Sequence, residues 1–286
     1  MNLRQLKSKI KSIHNVGQIT RAMELVSAVK MKKSQAKAIE GKPYRGALEE
    51  TIASLLGGSS VPEHPLTVVK PSALKKIAVI VSSNKALCGV FNFNLFRFIA
   101  HEITNIKDYQ FVVVGSKAQQ FIFHLGGEII ADFSATLPFE SSTSAIFSLL
   151  RERFVSSQNS QVELFYNRFI TSLVSKPTKK TLMPLTREAF VFLSENKENK
   201  QGDYVVEPTV NTVIDGLFNF FIESEIRGAI QESAAAEHSA RMIAMKNATD
   251  NSKDLVYRLT LLRNSIRQEK ITNELLDMNT ARLAVS

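Results

Sequence analysis

Apolar residues recur at the start of the chain as Leu3, Leu6, Ile10 and Ile13, then Val16, Ile19, Met23 and Val26. Steps of three and four place them on one face of a helix, and the successive threes from Ile13 to Ile19 are a skip in that seam. Between Leu3 and about Leu56 there is one proline, Pro43, and glycine at 17, 41 and 46. Gly41 and Pro43 either kink the helix or thin its packing. Gly57-Gly58-Ser59-Ser60, with Pro62 and Pro65, ends it. From Thr209 to about Leu283 proline is absent and glycine stands only at 216 and 228. Val213, Leu217 and Phe220 open a second apolar stripe, which Leu255, Leu259, Leu262 and Ile266 continue in 4-3-4 steps. The small-residue stretch Gln231–Asn251 between them predicts the closest approach of the two helices.

The pattern changes in the middle. Lys76–Ser83 and Phe111–Gly115 are short β-branched apolar runs of the kind buried on both faces of a parallel sheet. Glu128–Ala131 and Val162–Asn167 predict two more strands, and helices are expected over Phe93–Ile106, Ser116–Leu125 and Ser142–Val155. This alternation argues an open α/β sheet. Phe169–Val174 and Thr181–Leu185 predict a further antiparallel pair around Lys176-Pro177. Glu195–Gly202 reads as a polar loop and Tyr204–Pro208 as the hinge out of the sheet region.

At about 1.5 Å per residue the first helix would be on the order of 80 Å long and the last over 100 Å. A compact domain of this length has a radius of gyration of roughly 19 Å. The helices must therefore project, and striped projecting helices need partners. The expected fold is α/β: a long antiparallel coiled coil of the N- and C-terminal helices (1–57 and 209–286) with a central open α/β, Rossmann-like domain (75–203).

Charge sharpens this picture. The net charge of +9 over 286 residues lies wholly in residues 1–45, where eleven Lys and Arg face two acids. The rest of the chain carries 25 of each sign. A solvated face is the ordinary reading of such a run. A nucleic-acid-binding helix is another, but Tyr44 is the segment's sole aromatic residue and its cations flank an apolar seam. A stand-alone enzyme on the sheet is a third. The sheet region shows no nucleophile–base arrangement, no G-x-G-x-x-G and no phosphate-binding loop, so no cofactor is expected. One cysteine excludes an internal disulfide or thiolate metal cage, and the five histidines have no ligand spacing. No apolar run is long enough to span a membrane, and the basic start leads into no signal core.

Four stretches carry a family signature. Ile10-Lys11-Ser12-Ile13-His14-Asn15-Val16-Gly17-Gln18-Ile19-Thr20-Arg21-Ala22-Met23-Glu24-Leu25-Val26 resembles the opening helix of the gamma subunit of F-type ATP synthases. Glu232–Asn251, through Ala234-Ala235-Ala236-Glu237-His238-Ser239-Ala240-Arg241-Met242, is similar to that family's most recognisable block. Ser82–Gly89 and Ile266–Leu275 match two more. Arg263-Asn264-Ser265 and Asn84-Lys85-Ala86 depart from the family's usual Tyr-Asn-Lys and Asp-Arg-Gly. With Cys88 alone, the dithiol insert of the chloroplast form is missing.

The resemblance implies a non-catalytic rotor shaft. It would stand as a single copy inside the head of alpha and beta subunits, with its foot on the epsilon subunit and the membrane c-ring. Proton-driven rotation would be coupled to ATP synthesis and hydrolysis, at the cytoplasmic face of a bacterial inner membrane, with no nucleic acid involved. Lys30, Lys32 and Lys33 would meet an acidic lever of the catalytic subunits, with Lys85 nearby. Met23, Arg267, Gln268 and Thr272 would touch the head. Cys88 falls in the same head-facing block, although the residue itself reads as a small packing side chain. Tyr204 and Glu207 would face epsilon and the ring.

Overall fold

A computed structural model of the protein describes residues 3–57, 64–71, 75–186, 207 and 209–285. Helix α1 (Leu3–Gly57) contains Pro43. It is followed by β1 (Lys76–Val81), α2 (Phe91–Glu102), β2 (Tyr109–Val114), α3 (Ser116–His124), β3 (Glu128–Asp132), α4 (Thr143–Val155), β4 (Val162–Phe169), β5 (Ser175–Met183) and α5 (Val210–Val285).

The strands form one sheet in the order β3-β2-β1-β4-β5. β1 pairs in parallel with β2, Lys76 opposite Tyr109, and with β4, Ile77 opposite Val162. β3 joins β2 in parallel and β5 closes the other edge antiparallel to β4. Strand side chains alternate between faces. Ile77, Val79 and Val81 therefore enter one core with Val112, Leu164, Leu48 and Ile52 of α1, Leu150 and Phe154 of α4, and Phe218, Ile222 and Ile226 of α5. Ala78 and Ile80 enter the other, with Phe111, Phe165, Leu95 and Ile99 of α2 and Ile122 of α3. Burial on both faces is why these strands read as unbroken apolar runs.

Two expected elements differ. α2 stops at Glu102 because Ile103 turns extended, and the Asn105 side chain then accepts the Lys107 N–H to cap a short 3-10 turn. An Asn that bonds its own backbone competes with helix continuation. The expected pair around Lys176-Pro177 is also replaced. β4 runs on to Phe169, Ile170–Val174 makes the turn, and Pro177 lies inside β5 opposite Asn167. An edge strand tolerates a proline because one side of its backbone has no ladder to break.

The described fold divides into two compact units, residues 29–240 and residues 1–28 with 241–286. In the second, α1 and α5 run antiparallel. The buried hydroxyls of Thr20 and Thr249 share a hydrogen bond of 2.8 Å, and a Cβ at Gly17 would stand 3.3 Å from the Ser252 Cβ. Native disulfides have Cβ separations of about 3.5–4.5 Å. Gly17→Cys with Ser252→Cys is therefore expected to close a disulfide on mild oxidation after a small local shift. A thiol titration should then count Cys88 alone; three free thiols after oxidation would show that the helices do not cross at this position.

Candidate partner interface

In open α/β sheets, ligands settle beyond the carboxyl ends of the strands, where the strand order reverses, and phosphates favour a helix N-terminus there. Here that place lies beyond β1 and β4, and next to it, beyond β2, the loop after β1 occupies the start of α3. Ser116 N–H donates to Asn84 Oδ1 at 2.8 Å, Lys117 N–H to the Ser83 carbonyl at 3.1 Å, and Ala118 N–H to Ser82 Oγ at 2.9 Å. Asn84 is held in turn by donating to the Ser134 carbonyl. The first three N–H donors of α3 are thus engaged. α5 covers the neighbouring space: Ala236 packs against Cys88 and Phe91, and Ser233 Oγ donates to the Val81 carbonyl. At Ala236 the small side chain thus serves the strand ends, a use of the alanine stretch that its sequence did not signal.

Among the expected interface residues, Lys30, Lys32 and Lys33 are exposed on α1 while Met31 between them is buried. Lys85 is exposed in the loop after β1. Arg267, Gln268 and Thr272 are exposed on α5, where Thr272 Oγ1 donates one turn back to the Gln268 carbonyl. Met23 is half-buried, its carbonyl accepting from Ser27 Oγ. Glu207 is exposed, and Tyr204 lies outside the described residues. Cys88 is 2% exposed and accepts from Asn92 Nδ2 at 3.3 Å. Its thiol is a packing group and presents no surface to a partner, which corrects its place among the head-facing residues. The fold groups Met23, Arg267, Gln268 and Thr272 in one unit and Lys30, Lys32, Lys33, Lys85 and Glu207 in the other.

Apolar exposure adds what residue chemistry did not single out. Every residue from Arg267 to Thr280 is exposed, including Ile271, Leu275, Leu276 and Met278. On α1, Val16, Ile19, Leu25, Val26 and Val29 are each at least half exposed. Large apolar side chains grouped on a helix surface mark an interaction site. The signal lay in the sequence as an apolar stripe wider than one partner helix covers.

A second polar constellation joins α1, β5 and α5. Arg45 lies 3.6 Å from Glu232, and Lys180 lies 2.6 Å from Glu225 and 4.0 Å from Glu49. Burial pushes the Glu232 and Glu49 carboxyls up, against the opposing pull of Arg45 on the first and of Lys180 on the second. Tyr166, beside them on β4, is pushed up to about 12, first by burial and then by Glu232 and Glu225. Near the start of α5, the Leu66 N–H donates to His64 Nδ1, which leaves Nε2 to donate to Asp215. Burial of Asp215 raises its carboxyl, but hydrogen bonds from Arg151 and His64 outweigh this and hold it below the usual range. Among the described residues, no cluster of three or more His, Cys, Asp or Glu is placed to hold a metal ion, and no helix is long and apolar enough to cross a membrane.

The class is thus defined by a doubly wound sheet whose ligand crevice is closed by its own C-terminal helix, and by two long helices bearing uncovered apolar faces. The ATP synthase family model matches residues 2–285. The chain is 38% identical over 283 residues to the ATP synthase gamma chain of Dehalococcoides mccartyi strain 195, covering 97% of this chain and 96% of that one. It is 33% identical over 294 residues to that of Psychrobacter arcticus, covering 100% and 99%. Its fold matches a chain of the Euglena gracilis mitochondrial ATP synthase with a TM-score of 0.70 at 18% identity, over 99% of this chain and 94% of that one. The chain belongs to the ATP synthase gamma chain family.

Proposed function

We propose that this chain is the central rotor shaft of an F-type ATP synthase. The helix pair stands inside the head of alpha and beta subunits, and the sheet forms the foot on the epsilon subunit and the c-ring. It is present once per complex and holds the complex's rotation in register with ATP synthesis and hydrolysis, without performing chemistry itself. It is peripheral to the membrane, on the cytoplasmic face of a bacterial inner membrane. The observation that carries this reading is that every α5 residue from Arg267 to Thr280 is exposed, apolar side chains included, a surface suited to a surrounding sleeve. The Euglena match supports it, since that structure is described as a mitochondrial ATP synthase assembly of OSCP, F1 and c-ring in rotational state 3. The 3-4 spacing gives stiffness, and two helices of unequal length give the asymmetry by which one shaft can favour a different state in each catalytic subunit. A shaft shifts those states only through contacts that differ between them.

Lys30, Lys32 and Lys33 then face the acidic lever of a catalytic subunit, and Lys85, Arg267, Gln268, Thr272 and Met23 meet the head. Exposed ion pairs are worth about 0–1 kcal/mol each, so the lysines bias position while the stiff helices push. Co-expression with alpha and beta subunits from the same source tests the reading. The expected result is a complex holding one copy of this chain, with ATPase activity well above that of the shaft-free subunits. Reversing all three lysines to glutamate should lower turnover severalfold without releasing the chain. A chain that purifies alone and leaves head activity unchanged would sink the rotor assignment.

A further inference from the structure

The groups between α1, β5 and α5 form a connected set within one unit. Arg45 and Glu49 lie one turn apart on α1, Glu225 and Glu232 lie two turns apart on α5, and Lys180 comes from edge strand β5. The Arg45 side chain is 13% exposed, and that of Glu232 10%. Two glycines make room for it. A Cβ on Gly41 would stand 3.3 Å from Arg45 Nη1, and one on Gly228 would overlap the guanidinium outright. Glycine inside a helix is unfavourable relative to alanine, so two of them facing one arginine need a reason. Lys180 also lies 5.8 Å above the Phe221 ring.

Buried ion pairs are a poor source of net stability, because desolvation offsets their attraction. Breaking one is nevertheless expensive, since it leaves a charge buried and unpaired. Such pairs suit fixing of geometry better than holding a fold together. Here they fix a rotational setting: α1 cannot turn about its axis without drawing Arg45 away from Glu232 and out of the space left by Gly228. The Lys180 side chain is 37% exposed, so its pair with buried Glu225 is the weaker of the two, but α5 still cannot slide past β5 without separating them.

We propose that Arg45 and Glu232, which tie α1 to α5, and Lys180 with Glu225 and Glu49, which tie α5 and α1 to the edge strand β5, are positioning residues that clamp the two long helices to each other and to the sheet, so that torque passes between foot and shaft without slip. This rests on the rotor reading and adds to it the place where the two parts are locked. Apolar packing also joins α1 and α5 to the sheet, through Leu48, Ile52, Phe218 and Ile222, but such contacts resist separation more than they resist sliding.

The test uses the whole membrane-bound complex reconstituted in vesicles. Arg45→Met with Glu232→Gln removes both charges at similar volume and leaves neither buried alone. The expected result is normal assembly and ATP hydrolysis within about twofold of the parent, with ATP-driven ion transport lowered by roughly threefold or more. Lys180→Met with Glu225→Gln should do the same. Arg45→Lys, which keeps the charge, should recover most of the transport. Full transport in the doubly neutral variants, or parallel losses of hydrolysis and transport, would overturn the clamp while leaving the shaft assignment intact. If the Arg45 and Glu232 variant fails to assemble, Gly228→Ala, which displaces the guanidinium and keeps every charge, decides by the same two readouts. Failure of the unmodified chain to assemble or to stimulate the head would instead sink the rotor reading itself.

Discussion

Gly115→Ala is expected to cost about 3–5 kcal/mol of stability, the sum of backbone strain and overpacking in a site that cannot relax. Gly115 has φ +103°, a conformation that residues with a Cβ rarely adopt, and it precedes the first turn of α3. A methyl there would stand 2.5 Å from the Ser82 carbonyl oxygen and 2.7 Å from Ser82 Oγ. Ser82 cannot retreat. It is 2% exposed, its N–H donates to the Val114 carbonyl at 2.8 Å, and its hydroxyl receives the Ala118 N–H. The substitution would therefore part the ends of β1 and β2 and uncap α3 together. A guanidinium titration reads this as a lowered midpoint with an unchanged slope. Gly126→Ala is the comparison: φ is also positive at +69° but nothing lies within 4 Å of the added carbon. It should cost only the left-handed penalty of about 1–2 kcal/mol. Equal losses at the two glycines would mean that the close approach of Gly115 to Ser82 does not exist.

The same contrast shows what the chain discloses before it folds. Ile77–Val81 and Phe111–Val114 are legible as strands because burial on both faces leaves no polar position in them. The first six residues of β5 are illegible for the opposite reason, whereas Thr181–Met183 fell within the strand expected over Thr181–Leu185. Ser175–Lys180 is an edge with one wet face and a proline, so it lacks alternation strong enough to register. The lysines at 30, 32 and 33 are exposed on α1, as charged side chains ordinarily are. The clamp was not legible, because Arg45 and Glu232 are joined by a fold that crosses most of the chain. Gly41 and Gly228 were noticed as interruptions of two helices, and only the pairing of those helices shows that both face one guanidinium. The packing at the strand ends was not legible: Asn84, Ser82 and Ser83 as the groups that engage the α3 N–H donors became visible only in place.

Phe218→Ala should be nearly as damaging, at about 3–5 kcal/mol for a large aromatic side chain removed from a core. Phe218 is 1% exposed on α5 and packs in the sheet core between α1 and α4. Its ring also meets the His64 ring edge-on, centroids 5.0 Å apart at 74°. His64 is tied to Asp215 less than one turn earlier on the same helix, and Asp215 to Arg151 of α4. Truncation thus opens a cavity and removes the surface that holds His64 against Asp215, so two supports of the start of α5 weaken at once. Phe220, two residues on, turns to the other side of the helix and is 59% exposed. Phe220→Ala should change stability by no more than about 0.5 kcal/mol, as for most surface substitutions. The pair isolates the face of α5 that the sheet grips, because helix propensity changes alike in both. Denaturation midpoints that fall together, or a larger loss at Phe220, would require α5 to be rotated from the position described. If the order holds, the complex built with Phe218→Ala should release this chain at a lower denaturant concentration than the complex built with Phe220→Ala.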